Sequence, residues 1–427
     1  MDAQGGDAGE AQAALGTRDR RLSRRRRVAG QGGRIRRAGR RRGLRPVDRR
    51  QLQQRRRPAA DGDRGAAGGG GPAAELSRRA GVRRGRVIAL DRLSGRPAAA
   101  LLVDGRLDDL LVDPPPGDPA PAPEAVFRAK IVRAAPALGA CFVDLGGGAA
   151  GWLRGEGAPG ASPLVQIARF ADPGKAAPVT ERLTLKGRTA LVTPGAPGAN
   201  VSRSVKGRAA RERLAAVAEA AAARAPEGVG LVLRTAAAEA GDAEILEEID
   251  ALLADLAALE AAPAQAPALL RAAPGAQAQA LRDWEADAVD DAPEAFERLG
   301  VHDAVAELAS PRAPLPGGGW ISVEATAAMV AVDVNTGDDF SKGAAQRVNL
   351  AACAELPRQL RLRGLGGVVL LDPAPIKKGA RQGMDAALKR AFAADPVETQ
   401  IAGWTPLGNV EMLRRRERRP LRELLDG

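Results

Sequence analysis

Two apolar runs near the carboxyl terminus each end in an aspartate, and they constrain this chain more than any other feature. Residues 328–332 lead into Asp333, and residues 366–371 lead into Asp372. A carboxylate at the mouth of a buried strand is costly unless it is paired or holds a metal. Because side chains alternate along a strand, Asp333 and Asn335 are expected on the same face. Two carboxylates and an amide are hard oxygen ligands, which suit Mg²⁺ or Mn²⁺.

The remaining composition removes several other classes of catalytic site. The chain has one histidine, His302, with no serine motif near it, so a Ser-His-Asp triad is disfavoured. The two cysteines, Cys141 and Cys353, are far apart in sequence, and a zinc site of cysteine and histidine is nearly excluded by count. Metal-assisted hydrolysis with carboxylate ligands fits the composition best.

Length and charge predict several domains behind a basic tail. A chain of 427 residues is long enough for roughly two to four domains. Residues 1–82 contain 22 Arg and 8 acidic residues, so the whole net charge of +12 comes from this segment. Such a tail can bind phosphate backbones without sequence preference. Its lack of apolar periodicity instead favours a disordered segment, residues 1–84, that need not belong to the working protein.

Cysteine usage and hydropathy indicate the cellular compartment. Two cysteines without an evident partner fit a reducing environment. No apolar run is long enough to span a membrane. We therefore expect a cytoplasmic protein with no membrane partner.

Short strands dominate the first half of the chain. Residues 86–113 read as three strands, and Asp104-Gly105 marks a hairpin turn between two of them. The proline-rich residues 114–123 indicate a domain boundary. Residues 126–193 read as several short strands with glycine-rich turns, which is typical of a small barrel.

Two aromatic residues lie in the predicted barrel, in a chain with only 2% aromatic residues. Exposed on the barrel, Phe142 and Trp152 would stack on unpaired bases. Buried, they would be ordinary core residues.

Helices and a strand alternate in residues 194–268. Helices are expected at about residues 206–224 and 238–259, and the strand between them ends in Arg234-Thr235. An arginine fork beside a hydroxyl could hold a phosphate, although an arginine at a strand end can equally be solvated.

Residues 269–315 show mixed strand and helix patterns, and residues 316–427 contain the aspartates. Glu324 lies at the turn of a hairpin before Asp333, either as a third carboxylate or as a solvated turn residue. A helix is expected over residues 344–363, where Pro357 should kink it or break its hydrogen-bond ladder.

Basic residues follow the second aspartate. Lys377, Lys378 and Arg381 could contact phosphate, or they could form a solvated helix face. The helix at about residues 379–394 and a strand near residues 398–401 complete the pattern.

Over about residues 85–425, the motifs described above resemble those of the ribonuclease E/G family. The most specific similarity is the order and spacing of four stretches: Ala331-Val332-Asp333-Val334-Asn335-Thr336-Gly337, Asn349-Leu350-Ala351-Ala352, residues 358–367, and the strand to Asp372. Further similar stretches are residues 130–133, 140–146 and 151–153 of the barrel, and Leu233-Arg234-Thr235.

The resemblance implies a metal-dependent endoribonuclease that cuts single-stranded RNA and leaves 5′-phosphate and 3′-hydroxyl ends. Its implied role is rRNA and tRNA processing or mRNA decay in a bacterial cytoplasm. Asp333 and Asp372 would bind Mg²⁺, or Mn²⁺, and Asn335 would orient the scissile phosphate or a water on the metal.

The resemblance also implies two RNA-binding regions away from the aspartates. Phe142, Trp152 and Lys175 would hold RNA on the barrel. Arg234 and Thr235 would recognise a 5′-monophosphate end.

The implied fold is a multidomain α/β architecture. An interrupted RNase H-like domain, residues 85–125 and 269–315, would carry an S1-like OB-fold barrel at residues 126–193 and a 5′-sensor region at residues 194–268. A DNase I-like catalytic domain would follow at residues 316–427.

The chain departs from the family pattern in two places that bear on function. It ends at Gly427 without the CxxC element of zinc-linked family tetramers, so we expect the short, ribonuclease G-like branch with no zinc, while a homodimer remains compatible. Pro373-Ala374-Pro375 follows Asp372 where larger members carry an aromatic residue and a further acid. These prolines favour the alternative of a non-catalytic RNA-binding protein. A DNA-directed nuclease of the same metal type is a second alternative.

Overall fold

The structure is a computed structural model that describes residues 85–118, 120–172 and 174–425. The predicted tail at residues 1–84 lies outside the described residues. Within the described part, strands predominate up to residue 201 and strands and helices alternate from residue 208 onwards, which confirms the α/β class. Also within that part, no helix has the length and apolarity needed to cross a membrane.

The strands follow one another in this order: β1 Arg86–Leu93, β2 Arg96–Val103, β3 Arg106–Val112, β4 Val126–Arg128, β5 Lys130–Ala135, β6 Ala140–Gly146, β7 Ala149–Arg154, β8 Leu164–Ile167, β9 Ala177–Thr180, β10 Leu185–Lys186, β11 Ala190–Pro194, β12 Gly198–Val201, β13 Val229–Leu233, β14 Ala268–Arg271, β15 Ala288–Asp290, β16 Arg312–Pro314, β17 Trp320–Ala325, β18 Val330–Asn335, β19 Gly367–Asp372, β20 Thr399–Trp404 and β21 Val410–Arg414. The α-helices are α1 Arg208–Ala222, α2 Asp242–Ala261, α3 Ala276–Asp283, α4 Ala295–Arg298, α5 Val301–Glu307, α6 Ala344–Leu362, α7 Arg381–Ala393 and α8 Leu421–Leu425.

The first sheet has the strand order β15-β1-β2-β3. Strands β1, β2 and β3 match the hairpin pattern predicted for residues 86–113. The remaining strand, β15, comes from much later in the chain and pairs in parallel with β1, with Val87 opposite Ala288. Phe296 of α4 is completely buried in the core of this sheet. The chain therefore leaves the first sheet, builds other elements, and returns to complete it.

The second sheet, which we call the barrel sheet, has the order β14-β4-β8-β9-β7-β6-β5. It curls, since β14 at one end contacts β6 near the other. Alternation along β6 buries Cys141, Val143 and Leu145 inside the curl. Phe142, between them in sequence, is half-buried on the outer face.

The third sheet, the sensor sheet, has the order β10-β11-β13-β12 and packs against α1 and α2. It includes strands from residues 183–193, which the sequence pattern grouped with the barrel. Ala190 of β11 pairs with Leu233 of β13, and Leu185 is fully buried in the core with α2. The glycine-rich pattern did not reveal this change of partner because strand pairing depends on residues distant in sequence.

The fourth sheet, the aspartate sheet, has the order β16-β17-β18-β19-β21-β20. One face, which includes Val332, Val334 and Leu371, is buried against α6 and α7. The predicted hairpin is present, since β17 and β18 pair antiparallel. Between the two aspartate strands, β18 and β19, the chain crosses over through α6 and the pairing is parallel.

Helix α6 continues across Pro357, so the proline, which was expected to kink the helix or break its hydrogen-bond ladder, does not end it. The proline removes one backbone donor, and its ring normally clashes with the preceding turn. Here Leu356, Pro357 and Leu360 are all buried. Apolar packing over several turns therefore offsets the loss of one hydrogen bond.

Buried ion pairs attach α6 and its sheet to the first sheet. The Asp395 side chain is fully buried and accepts hydrogen bonds from Arg361 Nη1 at 2.5 Å and Arg414 Nη2 at 3.1 Å. Arg361 also donates to Asp108 Oδ2 at 3.0 Å, and Arg358 Nε donates to the Leu107 carbonyl at 2.6 Å. Removing one member of such a network leaves an uncompensated charge in the interior.

We expect Asp395→Ala to lower the free energy of unfolding by about 3 to 5 kcal/mol, because buried Arg414 loses its carboxylate partner and Arg361 loses one of its partners. Urea denaturation followed by tryptophan fluorescence measures this, since Trp404 lies in the aspartate sheet. The matched control is Asp250→Ala, which removes a surface pair with Arg224 at 3.3 Å and should cost less than about 1 kcal/mol. Equal losses in the two variants would contradict the assignment.

Candidate functional site

Asp333 and Asp372 lie side by side on the exposed face of the aspartate sheet. They are direct register partners of the parallel pair β18 and β19. Adjacent strands are about 4.8 Å apart, so the two carboxylates are close neighbours. Their exposure follows from alternation, because Val332 and Leu371 next to them face the core.

The electrostatics of this pair favour a cation. Partial desolvation, and then the Asp372 carboxylate with a smaller effect from Glu324, raise the pKa of Asp333. The Val334 backbone N–H opposes this shift. Two like charges at this separation repel unless a positive ion lies between them.

Asn335 lies on the same strand, two residues beyond Asp333. Its Oδ1 accepts a hydrogen bond from Gly337 N at 3.0 Å, which forms a tight turn at the end of β18. Gly337 has φ +62°, and a Cβ there would be 2.5 Å from the Gly318 carbonyl oxygen. The turn therefore requires glycine, and it fixes how the chain leaves the site.

Glu324 lies on β17, opposite Ala331 of β18. Its carboxylate accepts a hydrogen bond from Ser322 Oγ at 2.7 Å, and Ser322 is the register partner of Asp333. Among the described residues, no group of three or more His, Cys, Asp or Glu side chains forms a metal site. Mg²⁺ needs no such cage, because it commonly uses one or two protein carboxylates with waters and substrate phosphates. The Asp333–Asp372 pair fits that donor set.

Asn349 holds the segment after Asp372. Its side chain is buried, and its Nδ2 donates to the Ala374 carbonyl while its Oδ1 accepts from the Ala374 N–H, both at 2.9 Å. Pro373 and Pro375 therefore flank a residue that is attached to α6 on both its backbone groups. Asp372 keeps its register with Asp333 despite these prolines.

The sequence pattern showed Asn349 as part of a similar stretch without a role. A polar residue among apolar helix positions was the available signal, since Val348 and Ala352 are also buried. The identity of its partner could not be inferred, because Ala374 is 25 residues away in sequence.

The basic residues after Asp372 divide into two groups. Lys377 and Lys378 are exposed in the loop that leaves β19. The Arg381 guanidinium instead lies over the Trp404 ring, 4.4 Å from its centroid. Arg381 is therefore engaged within the fold and is not a solvated helix residue.

The loop that leaves β18 is attached to α6. Asp339 Oδ1 accepts from Ser341 N at 2.9 Å, and Asp339 Oδ2 accepts from Arg347 Nη2 at 2.6 Å. Hydrogen bonds from the Ser341 hydroxyl and N–H, and from Arg347, lower the pKa of Asp339 to about 2. Phe340, between Asp339 and Ser341, is 90% exposed.

On the barrel sheet, Phe142 and Trp152 are cross-strand partners of β6 and β7. Both are half-buried on the outer face, and the Arg133 guanidinium lies 4.6 Å from the centre of the Phe142 ring. Lys175 lies in a separate loop, where its Nζ is 3.3 Å from Asp172 Oδ2. The structure thus brings the two aromatics together, with Lys175 on another segment.

Arg234 follows β13 and is held in place rather than solvated. Its guanidinium donates to the Gly187 carbonyl at 2.5 Å and to Asp283 Oδ1 at 2.9 Å. Burial opposes ionisation of Asp283, yet the Arg282 and Arg234 guanidiniums lower its pKa. Thr235 begins the short 3₁₀ turn Thr235–Ala238 beside it.

The surroundings of Arg234 contain charges of both signs. Arg282 pairs with Asp283 and also with Glu124, which in turn pairs with Lys186 at 2.9 Å. With Arg234, this cluster contains three bases and two acids. An open cavity of about 420 Å³ beside the cluster is lined by three bases, Lys186, Arg188 and Arg282, and by two acids, Glu248 and Asp255.

We expect Asn349→Ala to lower the free energy of unfolding by about 2 to 4 kcal/mol, since it leaves two buried backbone groups of Ala374 unpaired. Urea denaturation measures the loss. Asn200→Ala, at an exposed strand position, is the control and should stay within about 0.5 kcal/mol. If Asn349→Ala were as stable as the control, Asn349 would not be what holds the segment after Asp372.

Comparison with known proteins adds to this geometry. The sequence profile of the Ribonuclease E/G family matches residues 184–292 and 285–417. This range includes the aspartate pair, Asn335 and the Arg234–Thr235 step, whereas the barrel residues precede it.

Individual bacterial proteins are similar over longer stretches. Ribonuclease E of Nostoc sp. is 31% identical over 310 residues, which are 62% of this chain and 44% of that protein. Ribonuclease E of Haemophilus influenzae is 28% identical over 381 residues, or 74% of this chain and 40% of that protein. Ribonuclease G of Salmonella typhimurium is 25% identical over 369 residues, which are 70% of this chain and 74% of that protein. The matched part of the chain spans less than half the length of these ribonuclease E relatives.

Proposed function

Since this chain belongs to the ribonuclease E/G family, we propose that it is a Mg²⁺-dependent endoribonuclease that cuts single-stranded RNA. The single observation that carries the proposal is the register pairing of Asp333 with Asp372 on an exposed sheet face. The relatives bear the names ribonuclease E and ribonuclease G, which supports RNA as the substrate.

Asp333 and Asp372 would hold Mg²⁺, with Mn²⁺ as a substitute, and no zinc is required. When bound, the metal would neutralise charge on a non-bridging phosphate oxygen and lower the pKa of a water. The Asn335 amide would donate to the scissile phosphate, because its Oδ1 already accepts from Gly337. Lys377 and Lys378 would add positive charge for neighbouring phosphates.

The reaction would be an in-line displacement at phosphorus. A bond forms between the water oxygen and the phosphorus, and the bond from phosphorus to the 3′ oxygen breaks. The attacking water releases a proton to solvent and the 3′ oxygen takes one from solvent, so the products carry a 5′-phosphate and a 3′-hydroxyl. We place this activity in a bacterial cytoplasm, in rRNA and tRNA processing or mRNA decay, and a homodimer is compatible with it.

Arg234 and Thr235 would recognise a 5′-monophosphate, supported by the fixed position of the Arg234 guanidinium between the Gly187 carbonyl and Asp283. Phe142, Trp152 and Lys175 would bind RNA on the barrel. The outward, half-buried position of the two aromatics supports base stacking more than a core role.

We assign the sheets to the family's domains on the same grounds. The return of β15 to β1 supports an interrupted RNase H-like domain at residues 85–125 and 269–315. The S1-like OB-fold predicted at residues 126–193 would correspond to the barrel sheet, to which β14 adds a strand from residues 268–271. The 5′-sensor region predicted at residues 194–268 would correspond to the sensor sheet, which already begins at β10. The aspartate sheet with α6 and α7 would be the DNase I-like catalytic domain at residues 316–427.

The main rival is an RNA-binding protein of this fold that no longer cuts, as Pro373 and Pro375 suggest. The retained register of Asp372 and the attachment of Ala374 to Asn349 favour catalysis.

Cleavage of a 5′-monophosphorylated single-stranded RNA should require Mg²⁺ and stop with EDTA. We expect Asp333→Asn and Asp372→Asn each to reduce the cleavage rate at least about 10³-fold, since loss of the metal removes several kcal/mol of transition-state stabilisation. RNA affinity should remain. The control is Asp250→Asn, which removes one negative charge from a surface ion pair on α2, outside the aspartate sheet. Full activity in both site variants would show that the two aspartates are not the catalytic site. Tight RNA binding without cutting by the unmodified chain would favour the non-catalytic RNA-binding protein.

Competition with single-stranded DNA tests the DNA-directed alternative, since only RNA has a 2′-hydroxyl.

Arg234→Ala should reduce the preference for 5′-monophosphorylated over 5′-hydroxyl RNA by about 10- to 100-fold, because charged hydrogen bonds to the phosphate are lost. Cleavage of the 5′-hydroxyl RNA should be nearly unchanged, which separates recognition from chemistry. Arg224→Ala, an exposed arginine in another ion pair, is the control. An unchanged preference would show that the phosphate binds elsewhere.

A further inference from the structure

Phe340 is an exposed aromatic residue in a chain that has very few. The sequence contains 6 Phe, 4 Trp and no Tyr, yet this ring is 90% exposed. Single exposed apolar residues are common on protein surfaces and carry no meaning alone. The attachment of its neighbours, the position of its loop and the charge around it distinguish Phe340 from such residues.

The first observation is that both neighbours of Phe340 are fixed to α6. Asp339 forms an ion pair with Arg347 at 2.6 Å, and its other carboxylate oxygen accepts from the Ser341 backbone N–H and hydroxyl. Arg347 Nη2 also donates to Ser341 Oγ at 2.7 Å. The loop thus presents an apolar ring to solvent from a constrained backbone, so that little conformational entropy would be lost on binding.

The second observation is the position of this loop. It leaves the end of β18 directly after Asn335, through the tight turn at Gly337. Phe340 is seven positions after Asp333, which limits their distance to about 25 Å even for an extended chain, and the turn shortens it. Parallel strands end at the same edge, so the loop after β19 leaves from this edge too.

The third observation is the charge of the two loops. Lys342 is exposed two residues after Phe340, and Lys377 and Lys378 are exposed in the loop after β19. An exposed aromatic ring near lysines is the combination that binds single-stranded nucleic acid, with bases on the ring and phosphates near the ammonium groups.

We propose that Phe340 stacks on an unpaired base next to the phosphate that is cut at Asp333 and Asp372. This inference rests on the proposed function, and it adds a base contact that would place the scissile phosphate over the carboxylates. A base in a duplex has both faces covered by its neighbours, so the contact would also favour single-stranded substrate.

Steady-state cleavage of a short single-stranded RNA by the full chain tests the contact. Stacking is worth about 1 to 3 kcal/mol per base, so Phe340→Ala should lower kcat/KM about 5- to 100-fold. Phe340→Trp should retain activity, and Phe340→Leu should behave like the alanine variant, because an apolar side chain without a ring cannot stack. Val289→Ala, at a residue that is 49% exposed on β15 of the first sheet, is the control and should match the unmodified chain.

Abasic substitutions in the RNA identify the base. Each nucleotide near the cut is replaced in turn by an abasic one, and the unmodified chain is compared with Phe340→Ala. At one position the abasic RNA should be cut equally by both proteins, since the stacking partner is already missing. A penalty for Phe340→Ala that persists at every abasic position, or no penalty on the intact RNA, would overturn the inference.

Binding measurements separate this result from failure of the proposed function. RNA affinity is titrated in the Asp333→Asn background, with and without Phe340→Ala, so no cutting is needed. A weaker affinity with the alanine variant, removed by the same abasic position, supports the contact even if the unmodified chain does not cut. Equal affinities, with active cleavage by the unmodified chain, would leave the proposed function intact and overturn the inference.

Discussion

The parallel pairing of β18 with β19 is the constraint on which the candidate site depends. Parallel neighbours cannot be joined by a short turn, so the chain must cross over through α6 before it returns. The pairing places the ends of both strands at one edge and sets Asp333 opposite Asp372. A shift by one residue would turn one carboxylate into the core, where Val332 and Leu371 now pack.

Helix α6 links this pairing to the rest of the molecule. Its buried face covers the aspartate sheet, and two of its polar side chains, Arg347 and Asn349, hold the loops that follow β18 and β19. Its last turns carry Arg358 and Arg361, whose hydrogen bonds reach β3 of the first sheet. One helix thus positions both loops of the site and attaches them to a second sheet. This explains why a stretch with no evident catalytic chemistry accompanies the aspartates.

Much of the secondary structure was predictable, because alternation and helical periodicity are local. Asp333 and Asp372 stood out since a charge ends an otherwise apolar strand, and the structure places both on the exposed face. The partner of Asn349 and the attachment of Arg234 to Asp283 were not predictable, because each joins segments distant in sequence. The continuation of α6 across Pro357 has a related cause, because it depends on packing around the helix, which local propensity omits.

The sequence by itself determined the α/β class, the strand ends that carry the aspartates, and the resemblance to a ribonuclease family. These follow from residue type and spacing, which act over a few positions. Only the tertiary structure decided that the two carboxylates are register partners, that β15 returns to the first sheet, and that Phe340 is exposed between two fixed neighbours. Such features arise from strand pairing and side-chain packing across long stretches of chain, where many pairings satisfy the same local pattern and the buried core selects one of them.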